Sequence, residues 1–264
     1  MTATDPALEI VRAMRGALAM FGLERRELDG SVYWIGGKGD TLVLLHGTND
    51  QAGTWARIVP LLITRYRLIL PDLAGHGESE PKTGGIAISV VVKRLAGIID
   101  HEHLNDITLA GNSFGAWMAL LYTLEHPEKV KRLVLESGGG LARPLGVPLV
   151  ANDRQTALTI LRAVHGPNYV PEDWVIDTLI ARATGSPLLR LEGAMESFVD
   201  ARLGQLDKPA TLIWGEDDGV VPVSYGEALQ KLIRDAKLHV IEGAAHIPHL
   251  QQPERFVECL TATS

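Results

Sequence analysis

The hydroxyl of Ser113 lies inside GNSFG, residues 111–115, with a glycine two residues away on either side. An apolar run, ITLA, precedes the motif and AWMALLY, spaced like a helix, follows it, so the serine falls on a strand-to-helix turn. A turn that sharp strains the central residue and needs small neighbours, and it pushes the side chain out of the sheet. A hydroxyl becomes a nucleophile only when a base takes its proton. Nine histidines are available, and His246, in GAAHIPH behind the last strand-like run, is the best placed. His249, three residues on, is its rival. His46 ends LVLLH and suits a structural role; His101 and His103 form a pair without a third ligand nearby, so no metal is expected. The base in turn needs an acid to fix its tautomer and stabilise its cation. Glu216, Asp217 and Asp218 in IWGEDDGVVP offer one, and serine, acid and histidine then follow in one of three common triad orders. Attack on a carbonyl also requires two N–H donors for the developing oxyanion. The N–H of Phe114 is one expectation, and that of Thr48 in HGTND, ahead of Asn49, is the other.

Six runs would carry these residues: TLVLLHG (41–47), YRLILPD (66–72), DITLAGN (106–112), KRLVLES (131–137), ATLIWGE (210–216) and KLHVIEG (237–243). Their unbroken apolarity predicts strands buried on both faces of a parallel sheet. Helix-like stretches between them (89–104, 116–128, 224–236 and 253–262) imply βαβ units. ELDGSVYWIGG (27–37) predicts a hairpin turning at Asp29-Gly30. Residues 141–206 break the rhythm, with three predicted helices (153–164, 172–184 and 187–203) and no strand-like run. They are expected to form a helical cap on a core of 1–140 and 207–264, with LARPLGVPLV (141–150) as a pocket wall.

The 264 residues, 46% hydrophobic and 22% charged, describe an ordinary globular protein. A net charge of −7 argues against nucleic-acid or anionic-membrane partners. GALAMFGL (16–23) reads as part of an amphipathic helix and not as a signal peptide, because charged ERRE follows it. No run is long and apolar enough to span a bilayer. The lone Cys259 can form no internal disulfide, which fits a cytoplasmic location.

LLHGTND, LPDLAGHGES, GNSFG, WGEDDGVVP and GAAHIPHLQQPERF occur in this order over residues 40–140 and 207–258. Together they resemble the α/β-hydrolases. The resemblance implies an α/β fold with a mostly parallel eight-stranded sheet, helices on both faces and a small helical cap. It implies the triad Ser113, Asp218 and His246; Asp218 is preferred to Asp217 because it lies third after the glycine of G-x-x-D and four before a proline. Asp72 and His76 in DLAGHGES would shape a turn beside the pocket. Haloalkane dehalogenases and epoxide hydrolases carry aspartate in place of Ser113. The elbow also resembles the GNSMG of hydrolases that cleave C–C bonds in vinylogous diketones, which have an aromatic after the base and a Gly-rich run after HG; here Ile247 and TND stand there. The expected activity is therefore cofactor-free hydrolysis of carboxylic esters of small to medium substrates through an acyl-enzyme. C–C bond hydrolysis and small-molecule reception on the same fold are the alternatives. The oligomeric state, monomer or homodimer, is left open.

Overall fold

The computed structural model describes residues 5–262. Two antiparallel strands, β1 (Glu24–Leu28) and β2 (Ser31–Gly37), come first. They turn at Asp29 and Gly30, whose φ values of 46° and 74° are those a tight hairpin requires. Six more strands follow: β3 (Asp40–Leu45), β4 (Tyr66–Pro71), β5 (Ile107–Asn112), β6 (Val130–Glu136), β7 (Ala210–Gly215) and β8 (Ala236–Ile241). They complete an eight-stranded sheet in the order β1-β2-β4-β3-β5-β6-β7-β8, parallel from β4 to β8. All six predicted parallel runs are strands of this sheet.

Both faces are covered, which accounts for the unbroken apolarity. In β3, Val43 and Leu45 join one core cluster with α2 (Ile88–His101) and α3 (Phe114–Glu125). Leu42 and Leu44 join the opposite one with Leu18, Trp55 and Phe256. The edge strand β1, ERREL, is largely exposed and charged, which discourages pairing with another chain. The first helix, α1 (Pro6–Met20), is fixed to the sheet by Arg15, whose guanidinium meets Asp72 at 3.3 Å and Gln51 at 3.1 Å. Among the described residues no helix is long and apolar enough to cross a membrane.

Between β6 and β7 the chain forms α4 (Arg154–His165) and α5 (Asp173–Arg182). Asp153 caps α4 by accepting the Thr156 N–H at 2.8 Å. The helix predicted over 187–203 does not form. Pro187–Arg190 is one tight turn, and Leu191–Glu192 then pairs in parallel with Ile86–Ala87, a short strand that the sequence reading missed. Arg190 accounts for the extension: its side chain donates to the carbonyls of Gly84 (2.8 Å) and Pro81 (2.5 Å), pinning the segment along that loop. Gly193, at φ 73°, then ends it. An ion pair of 3.1 Å between Arg182 and Asp5 joins this region to α1.

Candidate active site

Ser113 lies at the junction of β5 and α3 with φ 51° and ψ −111°, a strained conformation for a residue with a side chain. Its neighbours show why the turn needs glycine. A Cβ on Gly111 would come within 2.3 Å of the Gly115 carbonyl carbon, and one on Gly115 within 2.2 Å of the Leu45 oxygen. The Ser113 N–H donates to the Glu136 carbonyl at 2.8 Å, so β6 anchors the elbow.

His246 follows β8 and is nearly buried, as is Asp218 behind β7. The imidazole Nδ1 meets Asp218 Oδ2 at 3.0 Å and Oδ1 at 3.1 Å. A carboxylate there makes Nδ1 the donor, which leaves Nε2 as the basic nitrogen. Asp218 Oδ1 also accepts the N–H groups of Val220 (3.0 Å) and Val221 (2.9 Å), so its own loop holds the acid in place. Glu216 and Asp217 are exposed. Asn112, next to Ser113, donates to the His246 carbonyl at 3.1 Å and ties the elbow to the histidine loop.

The rival histidine is elsewhere. His249 is fully buried, with Nδ1 against Glu136 Oε2 at 2.8 Å and Nε2 against Thr54 Oγ1 at 3.0 Å. Both ring nitrogens are therefore engaged in scaffolding. Glu136 was not singled out in the sequence; a lone acid ending an apolar strand, ahead of three glycines, was the available signal.

The HGTND loop is braced by His46, whose Nδ1 donates to the Gly47 carbonyl at 2.7 Å while Nε2 accepts the Leu73 N–H at 2.9 Å. A Cβ on Gly47 would lie 2.8 Å from Asn112 Oδ1 and 3.6 Å from the Ser113 Cβ, so the loop bearing Thr48 abuts the elbow. Phe114 begins α3, where the first N–H groups of a helix lack internal partners and the dipole favours negative charge.

A cavity of about 760 Å³ opens on the same side. It reaches the HGTND loop at Asn49 and Asp50, not at Ser113 itself, and extends under α4 and α5 past Leu161 and Leu179. From the stretch expected to be a pocket wall, Leu149 and Val150 line it; Arg190 and Lys82 also line it, as does Ala7 of α1. Neither Arg190 nor Lys82 has a carboxylate within ion-pair distance among the described residues. His76, also on the wall, donates from Nδ1 to the Ala74 carbonyl at 3.0 Å and stacks on Phe114. Burial, reinforced by the His46 ring and the Arg190 charge, pushes the His76 pKa down to about 3, so the ring is neutral.

Similarity to known proteins agrees with this architecture. A 2-hydroxy-6-oxononadienedioate/2-hydroxy-6-oxononatrienedioate hydrolase of Paraburkholderia xenovorans is 27% identical over 261 residues, covering 88% of this chain and 90% of that one. The crystal structure of a membrane phospholipase A described as a bacterial virulence factor superposes with a TM-score of 0.80 at 24% identity, covering 96% of this chain and 89% of its own. The carboxylesterase CesB of Bacillus subtilis superposes with a TM-score of 0.74 at 18% identity, covering 99% and 100%. The model of the alpha/beta hydrolase family matches residues 42–259, and with its strand order and elbow the chain belongs to that family.

Proposed function

We propose that the chain is a serine hydrolase of small to medium carboxylic esters. The observation that carries this reading is the pairing of His246 with Asp218 on a loop that Asn112 ties to the glycine-flanked, positive-φ elbow of Ser113. In this mechanism His246 Nε2 removes the Ser113 proton as Oγ attacks the ester carbonyl. The N–H groups of Thr48 and Phe114 hold the oxyanion. The tetrahedral intermediate collapses, and the alcohol leaves with the proton from His246. Water, deprotonated by the same imidazole, then releases the acid and restores Ser113. Residues 141–206 act as the cap, and the largely apolar wall provided by Leu149, Val150, Leu161 and Leu179 takes the acyl chain. None of these steps calls for a cofactor.

A second reading, hydrolysis of a C–C bond in a vinylogous diketone, draws on the diene-dioate hydrolases among the relatives. Arg190 and Lys82 on the cavity wall suit a carboxylate-bearing substrate of that kind. Steady-state kinetics on p-nitrophenyl esters of increasing acyl length, beside a ring-fission diketone, separate the two. Each methylene buried adds about 0.8 kcal/mol, so kcat/KM is expected to climb and then break where the wall ends. Ser113→Ala is expected to lose about 10³-fold or more in kcat on every ester. Efficient diketone turnover with feeble esterase activity would promote the second reading.

A further inference from the structure

Helix α4 ends against the acid and the base. The last four carbonyls of any helix lack partners within it. Gly166 caps α4 by donating to Arg162 O at 2.9 Å, and the next three carbonyls leave the helix one after another. Ala163 O accepts the Gly219 N–H at 3.1 Å, and Val164 O accepts the His246 N–H at 3.1 Å. His165 O accepts Gln251 Nε2 at 2.8 Å. The other end of Gln251 turns back to the histidine loop, where Oε1 accepts the Ala245 N–H at 2.7 Å. One helix end thus grips the residue after Asp218, the backbone of His246 and, through Gln251, the residue before it. The fit is tight, since a Cβ on Gly219 would come 2.9 Å from the Ala163 Cα. One turn earlier, Leu161 of the same helix lines the cavity.

We propose that the C-terminal turn of α4 is a positioning device for Asp218 and His246, closed by Gln251. The segment that walls the cavity then also aligns the acid and base, and an occupant pressing on Leu161 acts on the helix that holds them. Both groups sit on loops beyond strand ends, where the backbone is least constrained, and a misplacement of about 1 Å in a catalytic group can cost roughly 10²-fold in rate. Gln251 touches no reacting atom, so it is a positioning residue. The inference rests on the triad reading and not on the choice between ester and diketone.

Diisopropyl fluorophosphate reads the triad without needing the natural substrate. Ser113 Oγ forms the bond to phosphorus, fluoride leaves, and His246 takes the proton. The second-order labelling rate is measured on the full chain for wild type, Gln251→Ala, Gln251→Glu and Gly219→Ala, with urea midpoints in parallel. Gln251→Ala and Gly219→Ala are expected to label about 10- to 100-fold more slowly at a temperature where each is folded. On a reporter ester, kcat falls with KM nearly unchanged. Gln251→Glu keeps the shape and the bond to Ala245 but cannot donate to His165 when ionised; it is expected to resemble Gln251→Ala, and it carries the test if Gly219→Ala does not fold. Labelling within about twofold of wild type in the folded variants would overturn the proposal. A wild type that is not labelled at Ser113 would instead overturn the triad reading and this proposal with it.

Discussion

Of the three consecutive acids behind β7, Asp218 alone is withdrawn from water and meets an imidazole, while Glu216 and Asp217 face solvent. A buried carboxylate against Nδ1 fixes which ring nitrogen is basic and stabilises the cation formed in the transition state; an amide does neither as well. Asp218→Asn is therefore expected to lower kcat on a p-nitrophenyl ester by about 10²- to 10⁴-fold, with Asp217→Asn within several-fold of wild type. Equal losses would mean that the loop, and not one carboxylate, had been disturbed. The two histidines three residues apart divide in the same way. His246 Nε2 makes no hydrogen bond among the described residues, whereas His249 spends both of its nitrogens on Glu136 and Thr54.

Elements place these residues, and at Gly115 two of them meet backbone to backbone. Its missing side chain lets the first turn of α3 lie on the carbonyls of Leu45 and His46. Backbone oxygens at the end of a central strand cannot move aside for a methyl group. Gly115→Ala is expected to cost about 3 kcal/mol or more in a urea melt, although Ser113 and His246 remain in the chain. An unchanged midpoint would show that the elbow has slack. Most of this level was legible in the sequence. Unbroken Val, Ile and Leu runs mark strands buried twice over, and glycines at fixed distance from a serine mark a turn with one backbone solution. What escaped was set by partners distant in the chain. Residues 187–203 have helical composition, yet the Arg190 side chain draws them out along a loop about a hundred residues earlier. The carbonyls ending α4 were equally invisible, because backbone groups leave no trace in residue types.

At the scale of the whole molecule, burial of His76 sets a titration that works against folding, and burial of His165 acts in the same direction. His76 is held neutral by burial, with a pKa of about 3, whereas an unfolded imidazole titrates near 6.5. Between those values the unfolded chain binds a proton that the native one refuses, so this residue makes stability fall as pH drops from about 6.5 towards 3. Asparagine retains a donor for the Ala74 carbonyl without the titration. The stability gap between wild type and His76→Asn is expected to narrow steadily over that range in urea melts run at successive pH values. A constant gap would show that the ring is not held neutral.

The N-terminal helix has a practical consequence for anyone handling this protein. Ala7 forms part of the cavity wall, and Asp5 is tied to Arg182, which also lines it. A purification tag fused at the N-terminal end would therefore be joined to a helix that lines the cavity. Selectivity measured on such a fusion would partly report the tag, and libraries intended to widen or narrow what the cavity accepts should include positions in α1 that lie a hundred residues from the serine.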